Sequence, residues 1–243
     1  MPLVSVEKAS FVWDGGAVSG FWHHPPRGAT YLVLAHGAGG NLHTPSLVHF
    51  AEALAEAGLG AVRFNFPYAE ARRKVPDRQP RLEACYRAVA QQVGKRATRL
   101  FLGGRSMGGR IASHVVADGF PAAGLIFLGY PLHPPGQPER IRDAQLLRVT
   151  VPMLFLQGSR DPFARSDLLA ETVRKLKTAT LHVVEEGDHG LTVRGRPQAE
   201  VIGDLVHVAV GWIASTHGGR PHGLPEGEAD APARRLYVSP LIV

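Results

Sequence analysis

The feature that most constrains the fold is the alternation of short apolar runs with amphipathic segments of helical period. "TYLVLA" (30–35), "GAVRFNF" (60–66), "RLFLGG" (99–104), "AGLIFLGY" (123–130), "VPMLFLQG" (151–158) and "TLHVVE" (180–185) are too short for helices and too uniformly apolar for half-exposed strands. Each has the character of a strand buried on both faces. Between them lie helical faces. Ser46, read as an N-cap, precedes Leu47, Phe50, Ala51 and Leu54, with Gly58 as the stop; Leu82, Cys85, Val89 and Val93 mark the next face. Further helices are expected over 108–119, around Leu169, Val173 and Leu176, and around Val201, Leu205, Val208 and Trp212. Strand and helix in this rhythm imply an α/β fold with a mostly parallel sheet covered on both sides. Ahead of it, "VSVEKASFVWDGGAVSGFWHHPP" alternates around Asp14-Gly15-Gly16 and predicts an antiparallel hairpin.

The 243 residues suffice for one substantial domain, placed at 1–216. From His217 the composition turns to Gly, Pro and charge, then ends in the apolar "LYVSPLIV" (236–243). The segment 217–243 is therefore a tail whose apolar end either docks, in a groove on its own domain or on a neighbouring subunit to make a homodimer by tail exchange, or is a frayed end. The net charge of +6 is not accompanied by a nucleic-acid-binding motif, and "ARRKVPDRQPR" (71–81) reads as a solvated loop, so no nucleic-acid partner is expected. No apolar run reaches the length of a membrane span and no signal-peptide pattern opens the chain. A lone cysteine, Cys85, sits at a core position of a helix, which fits a reducing cytoplasm.

The chemistry is concentrated in "FLGGRSMGGR" (101–110). Glycines flank Ser106 at the junction of a buried strand and a helix, the setting of a nucleophile elbow, in which a strained serine is pushed out of a turn and small residues provide clearance. A serine hydroxyl needs a base, and the base needs an orienting acid. Asp161 follows the strand 151–158 and His189 follows the strand 180–185, both where loops gather at the carboxyl edge of a parallel sheet. Asp188 competes for the acid role but adjoins His189 in sequence, and reads as a turn residue. The N–H groups of Met107 and of Ala38, in "HGAGG" (36–40), are the expected oxyanion donors. His36, Tyr68, Arg105, His133 and Phe163 are read either as pocket wall or as packing. Arg105 either attracts an anionic substrate or pairs with a carboxylate. The 12 histidines form no metal-binding spacing, so neither metal nor other cofactor is expected.

Taken together, "HGAGG", "RFNFPY", "GGRSMGGR", "GYPLHPPG", "QGSRDPF" and "GDHG" resemble an α/β-hydrolase of the dienelactone-hydrolase-like kind. More narrowly they resemble bacterial members of the family of testis-expressed protein 30 and a histone-acetyltransferase-complex subunit. The resemblance spans roughly residues 30–190. It implies a single-domain fold without a large lid, the segment 131–150 being too short for one, and a Ser106-His189-Asp161 triad. The implied activity is that of a serine hydrolase acting on a small-molecule acyl substrate, a carboxylic ester or thioester. Ser106 stands where true dienelactone hydrolases have cysteine, so lactone specificity does not carry over. The other reading is a noncatalytic scaffold or regulatory subunit on the same fold.

Overall fold

A computed structural model describes residues 4–216 and the backbone of 236 and 237. The element order is β1 (Ser5–Trp13), β2 (Gly16–His24), β3 (Thr30–Ala35), α1 (Pro45–Glu56), β4 (Gly60–Phe64), α2 (Pro67–Glu70), α3 (Gln79–Gly94), β5 (Arg99–Arg105), α4 (Met107–Ala117), β6 (Gly124–Leu128), β7 (Met153–Gly158), α5 (Ser166–Lys175), β8 (Ala179–Val184), α6 (Gln198–Ser215) and β9 (Leu236–Tyr237). They build one sheet in the order β1-β2-β4-β3-β5-β6-β7-β8-β9. The hairpin β1–β2 is antiparallel and joins β4 antiparallel; every pairing from β4 onward is parallel.

Strand alternation divides the core between the two faces of the sheet. Along β3, Tyr31, Val33 and Ala35 pack with Leu82, Cys85 and Val89 of α3 and Ile111 and Val115 of α4. Leu32 and Leu34 pack on the other side, with Leu47, Phe50 and Leu54 of α1 and Val201, Ile202 and Leu205 of α6. Each fully buried Leu, Val or Phe contributes about 1.5–3 kcal/mol relative to exposure, so covering both faces is what holds a mostly parallel sheet together. Cys85 lies wholly inside this core, where burial pushes its thiol up to about 12 and keeps it unreactive at neutral pH.

Some boundaries differ from the expectations. Helix α1 begins at Pro45 rather than after Ser46. Proline suits the first helical position because the N–H it lacks would be unpaired there. The hydroxyl of Thr44, at the capping position, donates instead to the Asn41 carbonyl at 2.8 Å. Strand β4 ends at Phe64, and the short helix α2 that follows is not legible in periodicity. Of the basic run 71–81, the last three residues open α3 and the rest forms a loop in which Arg73 pairs with Asp77 at 2.7 Å. The tail assignment falls outside the described residues except for β9, whose two residues lie parallel to Leu181 and His182 of β8. Among the described residues, no helix is long and apolar enough to cross a membrane.

Candidate active site

Ser106 is the one residue between β5 and α4, with φ 51° and ψ −119°. A positive φ costs a side-chain-bearing residue of order 1–3 kcal/mol, and persists only where surroundings enforce it. Here they do. The Ser106 N–H donates to the Leu128 carbonyl at the end of β6 (3.0 Å), and its own carbonyl accepts from Arg110 N–H (3.1 Å). A methyl group at Gly104 would come within 2.4 Å of the Ala35 carbonyl oxygen, and one at Gly108 within 2.3 Å of the same atom. Both glycines are therefore clearances that let β3 pass against the turn. Met107 opens α4, so its N–H belongs to the first turn, whose donors have no intrahelical acceptor.

The loop after β8 brings His189 to this serine. It rests on β7: a methyl at Gly158 would lie 2.2 Å from the Gly187 carbonyl oxygen, and Arg160 N–H donates to that carbonyl at 2.8 Å. His189 Nε2 stands 2.8 Å from Ser106 Oγ, and Nδ1 stands 2.7 Å from Asp161 Oδ2. A carboxylate only accepts, so Nδ1 carries the proton and Nε2 faces the hydroxyl as an acceptor. Asp161 is buried, yet its oxygens are partnered: Oδ2 also accepts from Gln157 Nε2 (2.5 Å) and Oδ1 from Phe163 N–H (2.7 Å). Gln157 is fixed in turn by the Tyr130 N–H, which donates to its Oε1 at 2.7 Å. Asp188 is otherwise engaged, its Oδ1 accepting from the N–H groups of Gly190 (2.7 Å) and Thr192 (2.9 Å).

Gln157 was not singled out in the sequence. The signal was there: a buried polar residue near the end of an otherwise apolar strand, four residues before the acid.

The remaining site residues fall into two groups. His36 is buried, accepts the Phe66 N–H at Nε2 (3.1 Å) and places Nδ1 2.9 Å from the Gly37 carbonyl. Burial lowers its pKa to about 4, so it is neutral. Tyr68, buried on α2 and pushed up to about 12, donates to the same carbonyl at 3.2 Å. These two side chains hold the start of the loop that carries Ala38, which is itself exposed. His133 also lies inside, accepting Arg165 N–H at Nε2 (2.9 Å) with Nδ1 2.9 Å from the Pro134 carbonyl, and so ties the loop after β6 to the loop of Asp161. Phe163 and Arg105 form the second group and face the reacting residues. The Phe163 ring lies 4.3 Å, centroid to centroid, from the His189 imidazole. Arg105 reaches past the serine toward the histidine loop without forming an ion pair with a described residue. Among the described residues no cluster of three metal-ligating side chains is placed to hold an ion.

The arrangement matches known proteins at the level of fold. Residues 28–214 match the family model described as an alpha/beta hydrolase domain. A solved serine hydrolase without lid from Xanthomonas campestris superposes with a TM-score of 0.69 at 23% identity, covering 86% of this chain and 95% of that one. Dienelactone hydrolase from Anabaena variabilis gives 0.70 at 17%, with 87% and 98% covered. Est1E from Butyrivibrio proteoclasticus, solved with ferulic acid bound, gives 0.71 at 17%, with 85% and 99% covered.

Proposed function

The chain belongs to the alpha/beta hydrolase domain family, and from that premise we propose that it is a serine hydrolase that cleaves a small carboxylic ester or thioester through an acyl-enzyme. The observation that carries this reading is the contact of Ser106 Oγ with His189 Nε2 at 2.8 Å, with Asp161 on the opposite ring nitrogen. As Oγ attacks the acyl carbonyl, its proton passes to Nε2, and the imidazolium is stabilised by the Asp161 carboxylate. The negative charge that develops on the carbonyl oxygen is received by the N–H groups of Met107 and Ala38, with the positive end of α4 behind the first. The imidazolium then protonates the leaving group. Water, activated by the same nitrogen, attacks the acyl-enzyme and releases the acid.

Ser106, Asp161 and His189 follow the ends of β5, β7 and β8, which supports the reading because short connections from a shared sheet hold reacting groups better than long loops do. The narrower kinship with the testis-expressed protein 30 family rests on "GGRSMGGR" and "GYPLHPPG". The test is labelling with a fluorophosphonate. One equivalent should attach to Ser106, and His189→Ala should abolish labelling of the folded protein. A folded protein that refuses the probe overturns the enzymatic reading in favour of a binding role.

A further inference from the structure

Arg105 stands immediately before Ser106. It is the last residue of β5, and its side chain crosses the floor of the site from the Ala38 loop to the histidine loop. A methyl group at Gly37 would lie 3.2 Å from Arg105 Nη1 and 3.4 Å from Ser106 Cβ, so those two atoms are no farther apart than the two distances together. A methyl at Gly190 would lie 3.6 Å from Nη2. The guanidinium thus spans the two loops that bracket Ser106.

Among the described residues no carboxylate lies within ion-pair distance of it. Asp188 and Asp161 attract it from beyond ion-pair distance, and both are committed elsewhere: Asp188 to the N–H groups of Gly190 and Thr192, Asp161 to His189, Gln157 and Phe163. No described residue accepts a hydrogen bond from the guanidinium. Nor is it sealed away, since none of its nitrogens is among the buried, unpartnered side-chain atoms of the described residues. It faces a cleft between α1 and α6 whose wall is apolar at Phe50, Leu128 and Ile202 and polar at Ser46 and Gln198. Partial burial strengthens the field of a cation while removing part of its hydration, and the planar fork matches a carboxylate with two parallel hydrogen bonds.

We propose that Arg105 is the specificity-determining residue of the site, selecting substrates that carry a carboxylate a few bonds from the scissile carbonyl. The proposal rests on Ser106 being the nucleophile. The short separation between Nη1 and the serine limits the linker to about two to four atoms once a salt bridge of about 2.8 Å is allowed for.

The experiment compares two pairs of esters. p-Nitrophenyl hemiglutarate against p-nitrophenyl butyrate places the charge on the acyl side; 3-acetoxybenzoate against phenyl acetate places it on the leaving side. The wild-type protein should favour the charged member of one pair in kcat/KM, chiefly through KM, and the pair that responds fixes the side. Arg105→Gln should reduce that preference by about tenfold to a hundredfold, the contribution of a charge-assisted pair, and Arg105→Lys should restore it in part. A wild-type protein that favours neither charged ester, or a glutamine variant in which charged and neutral esters fall together, overturns the proposal. Thermal shift of Ser106→Ala by monoethyl glutarate gives a second readout without turnover. Stabilisation that disappears in Ser106→Ala/Arg105→Gln supports the anion site even if no ester is cleaved, and absence of any shift counts against it. Failure of fluorophosphonate labelling in the wild type, by contrast, strikes the hydrolase reading and the ester preference with it, while the ligand shift of Ser106→Ala still decides whether Arg105 is an anion site.

Discussion

His189 and His23 each direct a ring nitrogen at a charged side chain, but the partner is a carboxylate at His189 and a guanidinium at His23. At the carboxyl edge of the sheet, Nδ1 of His189 donates to Asp161, whose oxygens are otherwise held by Gln157 and the Phe163 N–H. A proton arriving at Nε2 meets a negative charge across the ring. On the hairpin side, His23 Nε2 accepts from Arg63 Nε at 2.8 Å, while Arg63 Nη1 donates to the Leu42 carbonyl at 2.5 Å and its guanidinium lies 4.6 Å from the Phe21 ring centre. Nδ1 of His23 has no described partner. A proton arriving there meets burial first and the Arg63 charge second, and the two hold His23 down to about 4. The comparison teaches that burial of a histidine does not by itself make a base. What distinguishes His189 is the carboxylate against its far nitrogen, since burial alone already holds His36 down to about 4.

The largest effect should come from removing the donor or acceptor of the proton itself. Ser106→Ala and His189→Ala are each expected to lower ester hydrolysis by about 10⁵–10⁶-fold, measured as kcat with the folded state verified by circular dichroism. Removing nothing but the charge behind the ring should cost somewhat less: Asp161→Asn, which preserves shape, is expected to lower kcat by about 10⁴-fold. A loss below tenfold would break the comparison, because it would mean that the carboxylate does not support the imidazolium.

The other pole of the comparison is tested by pH. Folding keeps His23 and His36 neutral down to about 4, whereas the unfolded chain takes up those protons near 6.5. The unfolded state therefore binds more protons between these values, and stability rises with pH across that window. The contribution of these two histidines should fall as pH drops from 6.5 toward 4 and level off below. His23→Gln keeps an acceptor for Arg63 without titrating; urea unfolding at several pH values should show its acid loss smaller than wild type by about 2–3 kcal/mol at most. An unchanged slope would remove His23 from the account. The smallest effect is expected at Gln157. Gln157→Leu leaves the Tyr130 N–H and one acceptor position of Asp161 unpaired, which should lower kcat/KM roughly tenfold and stability by about 1–3 kcal/mol.

The difference between the two histidines was only partly legible in the sequence. Ser106 announced itself because the Gly104 and Gly108 clearances are compositional, and strand ends located Asp161 and His189 because loops after parallel strands converge on one edge. Strand positions followed from apolar runs, which tolerate few alternatives when both faces are buried. The strand order, with β4 inserted between β2 and β3, was not legible, since pairing across a crossover leaves no local mark. Neither were the inward roles of His36, Tyr68 and His133. Each lies in a loop or short helix at the site edge, and whether such a ring points into the pocket or beneath it depends on hydrogen bonds to carbonyls such as Gly37 and Pro134. Gln157 was hidden for the opposite reason: one amide in an apolar strand attracts no notice until its partner is known.

The strand order has a consequence for how such a protein loses its chemistry. β5, which leads into Ser106, is the fifth of the nine described strands, while β8, which leads into the loop of His189, lies one short strand from the border. Sheets open from their margins inward, and amides at the centre exchange with solvent only when the whole domain opens. The Ser106 amide should thus be among the slowest to exchange, and the loop of His189 much faster. Mild denaturant or heat would detach the base from a serine that is still held in its turn. Loss of the Ser106–His189 contact should then be a local event at one margin, earlier than unfolding, with a midpoint that reports the hold of the outer strands rather than the strength of the core.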